Sequence, residues 1–552
     1  MKKLKLGSIA IALACAAPSF AGGLLTNTNQ NVAFNRMMSR EASIGIDGVY
    51  YNPAGVVFMG DGHHLSINWQ LAYQTRTIKN DYALFTNNVN NSTTPRDFKG
   101  EAFAPVIPSF QYAYNKGKWS FQANFALAGG GGKCTFDNGL GSFEKIVAET
   151  AMAACGLART VDNVLGNTLI QQGMLPAGQN MEMFTSDQAF GKTGKYSYNS
   201  YMHGRQYYYG LSVGAAYKFS DNFSAFAGVR GVYASTNYYG YVENINVGNM
   251  PLYKVLDPNK ENAANIELSC DQSGIGFTPI IGVDFKTGKW NFSAKYEFKT
   301  RIRLKNKSVN QAPSISALPD NLSRQMVGTL TEVFTKKGMT PENALATATN
   351  TTKAVLTNGD VVKTMAGLKT EFDTKLEEAI GEYADGKKIA GDIPAYLTLG
   401  AGYSPVDAVR INVGFHWFDD VNATSYNNRN KKLDHGTLEY NAGVEVDVCK
   451  KVTLSTGWQS TNYGLPTEDE ATESSKRYMD DKSFVTSSNS VAVGGVYHIN
   501  KKMDLNVAYF HTFYQHQKTT EPVQLSANTK INYSSDYTRN NNVFAVGLDI
   551  NF

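Results

Sequence analysis

The sequence lacks the element with which most membrane proteins cross a bilayer. After residue 21, no apolar run approaches the roughly 18 residues that a membrane-spanning helix needs, and the mean hydropathy of the chain is −0.31. An excess of charge of one sign is also missing, because the formal net charge of the 552 residues is +4. These absences argue against a bundle of membrane helices and against a nucleic-acid-binding protein.

Cysteine and metal-ligand patterns are scarce as well. The chain has five cysteines, and the neighbouring histidines His63 and His64 have no cysteine or carboxylate beside them at metal-ligand spacing. We therefore expect no metal and no other cofactor. Spacing alone does not fix a disulfide pairing among the four cysteines that follow the first twenty-one residues, which are Cys134, Cys155, Cys270 and Cys449.

The first twenty-one residues have the pattern of a secretory signal peptide. A basic start is followed by the short apolar run 6–17 and by Ser19-Phe20-Ala21, a small-x-Ala cleavage signal. We predict cleavage after Ala21, so that residues 1–21 are removed. The loss of Lys2, Lys3 and Lys5 lowers the formal net charge from +4 to +1. The predicted location of the mature chain is the bacterial outer membrane.

The mature sequence is rich in strands that alternate between apolar and small or polar residues. In the last ten residues, 543–552, Phe544, Val546, Leu548 and Ile550 share one face of a strand, and Asp549 lies on the other. Ten residues suffice for a tilted strand to cross a bilayer. The same pattern recurs in several segments, among them 65–73, 119–127, 207–219, 290–298 and 409–417.

The connections between these segments alternate between short and long, which is typical of an outer-membrane barrel. We predict an all-β membrane protein, a 14-stranded antiparallel transmembrane β-barrel over 62–552 with long extracellular loops at about 130–204 and 304–391. The short turns are 115–118, 220–222, 287–289, 405–408, 449–451 and 500–502, and the long connections are 76–102, 130–204, 240–273, 304–391, 419–435, 462–484 and 517–538.

The two longest loops are predicted to be partly helical. Apolar residues recur at helical spacing over 140–159, 322–337 and 361–383. These stripes either pack on each other to cap the barrel or form an apolar groove for a ligand. Met181, Met183 and Phe184 are candidate ligand-binding residues, since methionine adapts to irregular apolar shapes.

Residues 22–61 do not alternate and precede the first strand. Such a segment either hangs in the periplasm or folds into the lumen, and a barrel of fourteen strands has a lumen that must be filled or it leaks. We predict an N-terminal plug, or hatch, at 22–61. The segment begins Gly22-Gly23-Leu24-Leu25 and ends with Tyr51-Asn52-Pro53-Ala54-Gly55 just ahead of the first strand.

This N-terminal segment, followed by fourteen candidate strands, resembles the FadL-type family of long-chain fatty acid transporters. The resemblance implies passive uptake of hydrophobic molecules, with capture by the outer loops and a pocket inside the barrel. It also implies release through a gap in the wall where the third strand kinks, once the hatch N-terminus moves. By this resemblance, ligand binding or gating falls to Gly22, Gly23, Leu24, Leu25, Asn52, Pro53 and Ala54. Gly129 and Gly130 either form the kink or its outer end, or are a flexible entry into the following loop.

The expected function is therefore passive outer-membrane transport of hydrophobic small molecules, foremost long-chain fatty acids, with no enzymatic activity. The alternative is a surface receptor or adhesin that binds haem or a host ligand through its long loops. A Gly-x-Ser-x-Gly string around Ser212 lies inside an alternating strand rather than at the strand-to-helix turn that a hydrolase needs. Expected partners are the hydrophobic substrate, outer-membrane lipid and the barrel-assembly machinery, and we expect a monomer.

Overall fold

The computed structural model describes residues 26–466, 478, 480–526 and 529–552. Eighteen strand segments form one antiparallel sheet. Three pairs of segments continue each other across a short break and one two-residue segment, Met250–Pro251, adds to the end of a longer strand, which leaves fourteen wall strands. These are β1 (Gly62–Tyr82), β2 (Arg96–Lys116), β3 (Trp119–Phe136), β4 (Tyr196–Lys218), β5 (Phe223–Val247), β6 (Ile266–Thr287), β7 (Trp290–Glu297 and Arg303–Gln311), β8 (Lys388–Ala390 and Tyr396–Val406), β9 (Val409–Phe418), β10 (Leu438–Cys449), β11 (Val452–Asn462), β12 (Ser488–Asn500), β13 (Met503–Tyr514 and Gln517–Ser526) and β14 (Thr529–Asn551).

The last strand closes the barrel on the first. β14 pairs with β1 in one continuous register, which runs from His64 opposite Asn551 to Tyr82 opposite Tyr533. This closure pairs the outer edges of the first and last strands with each other, as a wall in lipid requires. The predicted fourteen-stranded antiparallel barrel is confirmed.

The alternation of the sequence becomes an outward and an inward face. Phe544 is 53% exposed, while its neighbour Ala545 is buried. Large apolar side chains are exposed all round the wall, an inversion of the arrangement in soluble proteins that fits a lipid-facing belt. This belt includes Ile67, Phe121, Leu211, Phe292, Val413, Leu454, Val493 and Val507.

The strands run farther than the sequence pattern predicted. β5 has 25 residues, whereas roughly 9–11 suffice to cross a bilayer. The predicted long connections 76–102 and 240–273 are in large part strand, and 517–538 is a strand hairpin rather than a loop. The prediction was wrong there because the ladder of hydrogen bonds continues above the apolar belt, where outward residues are no longer apolar and the alternation fades.

Helices gather at the two ends of the lumen. The short helices α1 (Val32–Met37) and α2 (Gly48–Tyr51) lie within the N-terminal segment, and α4 (Tyr253–Leu256) follows β5. No helix in the described part of the chain is long and apolar enough to cross a membrane. The loops at the far end of the barrel contain α3 (Gly141–Gln171), α5 (Leu318–Lys336), α6 (Pro341–Leu356) and α7 (Gly359–Ile380), which we call the helical cap.

The cap confirms the predicted helical loops and extends them. α3 is longer than the predicted 140–159, and α6 was not predicted at all, because its sequence is rich in Thr and Ala rather than in large apolar residues. Thr340 caps α6 by accepting a hydrogen bond from Asn343 N, and Pro341 occupies its first position. The cap contributes most of the large apolar core of the molecule.

Candidate functional site

The N-terminal segment occupies the lumen and bonds to the polar inward faces of the strands. Asn31 caps α1 and donates from Nδ2 to Ser66 Oγ at 3.1 Å and to Gln111 Oε1 at 2.8 Å. Asn68 Oδ1 accepts from Val32 N at 3.1 Å. Polar residues on the inner face would be costly in a dry core, and here they satisfy the backbone and side chains of this segment. We call residues 26–61 the plug.

Buried ion pairs hold the middle of the plug against the wall. Arg36 and Arg40 both contact Glu445 of β10, and Arg40 also bonds to Asp47 at 2.7 Å. Glu41 meets His416 of β9 at 2.7 Å. All these side chains are 7% exposed or less, so their charges are balanced by each other rather than by water.

The predicted string Asn52-Pro53-Ala54 bonds to three different strands. Asn52 Nδ2 donates to Asp284 of β6 at 2.6 Å. The carbonyl of Pro53 accepts from Gln122 of β3 at 2.7 Å, and that of Ala54 accepts from Ser224 of β5 at 2.7 Å. These contacts fix the end of the plug at the base of the barrel.

The wall is interrupted between β2 and β3. Their ladder runs from Lys116 opposite Trp119 to Phe110 opposite Phe125 and resumes only at Ala102 opposite Cys134. Residues 103–109 and 126–133 have no partners across this gap. On its other side, β3 remains paired with β4 through two bulges, at 127–129 and at 130–132.

Proline and glycine account for the interruption. Pro105 and Pro108 lie on β2 within the gap and have no N–H with which to continue a ladder. Gly130 and Gly132 have φ values of +74° and +145°, conformations that favour glycine. A Cβ at Gly130 would lie 2.5 Å from the carbonyl oxygen of Gln206, so this bulge requires glycine there.

The first described residues of the plug cover the open edge of β3. Asn27 N donates to the carbonyl of Ala128 at 3.0 Å, and Thr26 forms an antiparallel bridge with Gly129. Asn27 Nδ2 donates to the carbonyls of Leu127 at 3.2 Å and Gly130 at 2.8 Å. The predicted Gly129 and Gly130 thus meet the N-terminus of the plug, whereas the preceding residues 22–25 lie outside the described residues.

A cavity of about 280 Å³ lies in the lumen against the plug and reaches this gap. Its lining combines plug residues 26–30, the gap residues Ala104 and Leu127, and polar and aromatic side chains from the opposite wall. Sequence reasoning missed Asn27 and the two prolines of the gap. The signal was the coincidence of prolines on β2 with the glycine run on β3.

Two guanidinium groups face this cavity side by side. Arg76 of β1 lies opposite Arg539 of β14 in the ladder. Both donate to Gln74 Oε1 at 3.0 Å, and Arg539 lies over the ring of Tyr514 at 4.9 Å. Within the described part of the chain, no carboxylate forms an ion pair with either group. Like charges facing each other across a strand pair are unfavourable, so this arrangement can receive an anion.

The cap contains a second, apolar cavity of about 70 Å³. Side chains of α3, α5 and α7 line it, together with the ends of β5 and β6. Leu368 and Phe372, two members of the apolar stripe predicted on α7, are among its lining residues. The stripe therefore both packs within the cap and borders an apolar space.

Met181, Met183 and Phe184 lie beside this cavity's walls rather than in its lining. Phe184 is buried and stacks on Phe190 with ring centroids 6.4 Å apart. Asp162 accepts from Phe184 N at 3.1 Å and so fixes the loop to α3, while burial raises the pKa of the Asp162 carboxyl. Met181 and Met183 pack at the edge of the same core.

Two other sequence features have plain structural roles. Ser212 lies in the middle of β4, opposite Asn124 and Arg230 in the neighbouring strands, and not at a strand-to-helix turn. Cys134, Cys155 and Cys270 are buried free thiols, and Cys449 is exposed and also free. Among the described residues, no cluster of three His, Cys, Asp or Glu side chains could hold a metal ion.

Comparison with known proteins identifies the fold. No protein-family model and no curated protein matches the chain. A Pseudomonas aeruginosa FadL homologue superimposes with a TM-score of 0.53 at 14% identity, over 97% of this chain and 100% of that one. The chain has the FadL-type fold. The Ralstonia pickettii toluene transporter TbuX and the Pseudomonas putida toluene transporter TodX are also similar, both with TM-scores of 0.46 at 13% identity, covering 96% and 92% of this chain and 99% and 94% of theirs.

The FadL-type fold agrees with the resemblance drawn from the N-terminal sequence. In this chain the plug, the cavity above it and the interrupted third strand occur together. Together they define a candidate site in which the lumen cavity above the plug reaches the gap between β2 and β3.

Proposed function

We propose that this protein is a passive outer-membrane transporter of hydrophobic small molecules. A substrate enters through the helical cap, is held in the lumen cavity and leaves sideways through the gap between β2 and β3. Withdrawal of Thr26 and Asn27, together with the predicted gating residues Gly22–Leu25 that precede them, opens that gap. Transport needs no strongly binding site, since a substrate must bind well enough to enter and weakly enough to leave.

The seal at the gap is the observation that supports this proposal most directly. The edge of β3 is covered by a few neutral hydrogen bonds from Thr26 and Asn27 rather than by β2. Each such bond contributes only about 1 kcal/mol, so displacement of this short segment is inexpensive. The apolar belt around the gap faces lipid, which gives a hydrophobic substrate a destination without passage through water.

Long-chain fatty acids are the substrate class that the cavity supports best. The guanidinium groups of Arg76 and Arg539 offer a site for a carboxylate, and Ala104, Ile107 and Leu127 line the path of an acyl chain towards the gap. Glu439 also borders the cavity, but its carboxylate already bonds to His416 at 2.8 Å.

A reversible cross-link tests the path. In a variant with its native cysteines replaced by alanine, Asn27→Cys and Ala128→Cys create a disulfide across the seal. We expect oxidation to reduce uptake of a radiolabelled long-chain fatty acid into cells by more than tenfold, and reductant to restore it. Each single cysteine variant is the control and should transport under both conditions. Full uptake through the cross-linked protein would contradict lateral release.

The double variant Arg76→Gln and Arg539→Gln tests the substrate class. We expect the half-saturating concentration for fatty acid uptake to rise about tenfold, since a charge-assisted bond to a carboxylate is lost, while uptake of a neutral aromatic hydrocarbon stays unchanged. Arg205→Gln, which removes a charge outside the cavity lining, is the matched control. Equal losses for both substrates would contradict a carboxylate site, and unimpaired uptake of both would do the same.

A further inference from the structure

The outer surface of the second segment of β7 and of the break before it carries a column of five cations above the apolar belt. Lys299, Arg301, Arg303, Lys305 and Lys307 alternate with residues that are buried, namely Thr300, Ile302, Leu304 and Asn306. Below them, Trp290, Phe292 and Phe298 are exposed to the lipid side. We call the five basic residues the cation column.

The break in β7 turns the cations outward. Before it, even-numbered residues such as Phe292 face out and Lys295 and Glu297 face the lumen. After it, odd-numbered residues face out, because the register against β6 shifts by one residue between the pair Ile280 and Glu297 and the pair Ser273 and Lys305. A shift of one residue moves a whole strand face to the other side of a sheet. Without this shift the five charges would point into the lumen.

Most of the column has no acidic partner. Arg303 bonds to Asp392 at 2.7 Å, and Lys299 donates to the carbonyl of Asn422 at 3.0 Å. In the described ranges, Arg301, Lys305 and Lys307 form no ion pair within 4.0 Å. On one side Lys305 lies directly opposite another cation, Lys388 of β8, which destabilises a strand pair unless an anion lies between the charges.

Carboxylates near the column are few and already engaged. Asp271 of β6 lies opposite Lys307 in the ladder and accepts a hydrogen bond from Asn237 at 2.8 Å. Asp385 accepts from the backbone N–H of Ser308 at 2.9 Å. The column therefore keeps a net positive charge.

An apolar surface adjoins the column on the neighbouring strand. Ile275 and Phe277 of β6 are 64% and 67% exposed. A Cβ at Gly276, between them, would lie 2.9 Å from the backbone oxygen of Arg301, so β6 and β7 are in close contact at this height. Acyl-chain and headgroup contacts are thus available side by side at the upper boundary of the belt.

We propose that the cation column binds the phosphate groups of an anionic, multiply phosphorylated lipid in the outer leaflet. A lipid is the expected ligand because the apolar belt directly below the column faces lipid. Lipid headgroups lie at the height where that belt ends, which is the height of the column. Arginine and lysine are the usual phosphate ligands. The lipid's acyl chains lie on Phe277 and Ile275, and its phosphates bridge charges such as those of Lys305 and Lys388.

On the opposite side of the barrel, the strands also continue above the apolar belt, but their cations have carboxylates as neighbours. Lys79 of β1 lies opposite Asp97 on one side and Asp536 on the other. Lys518 of β13 also lies opposite Asp536. These two lysines lie opposite carboxylates on neighbouring strands, whereas Lys305 of the column lies between Ser273 and Lys388, and Lys307 lies opposite one carboxylate, that of Asp271.

Lipid binding to the purified full-length protein tests this site. The probe is bisphosphorylated lipid A, added to protein in detergent, with its fully dephosphorylated form as the comparison. We expect the triple variant Arg301→Gln, Lys305→Gln and Lys307→Gln to bind the bisphosphorylated probe about one to two orders of magnitude more weakly. The dephosphorylated probe should bind the variant and the parent protein equally.

The matched control removes three exposed lysines from the opposite wall, Lys79→Gln, Lys99→Gln and Lys518→Gln, and should bind like the parent protein. Excess inorganic phosphate should not displace the lipid, because it lacks the apolar contacts. In addition, the lipid should raise the unfolding temperature of the parent protein and of the control, but not of the column variant. An equal loss in both triple variants, or no loss in the column variant, would overturn the proposal.

Discussion

The middle of the plug and its N-terminal end are attached to the barrel by different chemistry. Its middle, from Arg36 to Asp47, is held by buried ion pairs to β9 and β10. Its first described residues, Thr26 and Asn27, bond only through neutral groups to the backbone of β3. One attachment lies against an unbroken part of the wall, and the other covers the gap.

This difference separates an anchor from a seal. Removing one partner of a buried ion pair leaves an uncompensated charge and costs about 3–5 kcal/mol. A neutral hydrogen bond contributes about 1 kcal/mol, because water replaces it when it breaks. The N-terminus can therefore leave the gap while the rest of the plug stays in the lumen, and transport through the proposed path need not open a polar channel.

The largest expected effect comes from breaking the anchor. Glu445→Gln removes the carboxylate that both Arg36 and Arg40 contact, and we expect it to destabilise the plug in the lumen by about 3–5 kcal/mol. The measurement is the permeability of cells to polar antibiotics, which should rise, together with protease sensitivity of the plug in isolated membranes.

Asp447→Asn is the matched control for that variant. Asp447 lies two residues farther along β10, is 35% exposed and pairs with Arg410, which is itself partly exposed and also contacts Glu445. Exposed pairs contribute about 0–1 kcal/mol, so the permeability barrier should persist. A barrier that survives in Glu445→Gln would show that the ion pairs do not anchor the plug.

The anchor and the seal differ in how far the sequence predicts them. The inward polar face of the strands was visible as alternation, so a barrel with a filled lumen could be predicted from residues such as those of 543–552. The contacts of Glu445 with Arg36 and Arg40 could not be predicted from the sequence. Arg40 and Glu445 are 405 positions apart, and only the closed register of fourteen strands brings them together.

The seal was partly visible. The glycine run within β3 indicated a bend, and Gly129 and Gly130 lie in the stretch of β3 that is not paired with β2. Pro105 and Pro108 on β2 indicate the gap only once β2 and β3 are known to be neighbours, so the sequence alone does not predict it. The outward orientation of the cation column could not be predicted for a related reason. A break that shifts a strand by one residue interrupts the alternation, so the pattern before the break does not indicate which residues face outward after it.

A smaller effect is expected from changes at the seal. Two glycines with similar φ values, one at the gap and one in a turn, allow this to be tested. Gly130 has a φ of +74° and Gly117, in the short turn between β2 and β3, has a φ of +61°. Alanine at either position costs about 1–2 kcal/mol for the left-handed conformation. Only at Gly130 does the new Cβ also meet a backbone oxygen, that of Gln206 at 2.5 Å, whereas nothing lies within 4 Å at Gly117.

We therefore expect Gly130→Ala to alter the bulge that holds β3 away from β2, and to lower fatty acid uptake severalfold at equal surface expression. Gly117→Ala should lower barrel stability by its backbone cost alone and leave uptake unchanged. Uptake assays on both variants, normalised to the amount of folded barrel, separate the two effects. If uptake fell in both variants only in proportion to the loss of barrel stability, the geometry of the gap would not matter for release. The N-terminal residues would then not act as a seal that controls transport.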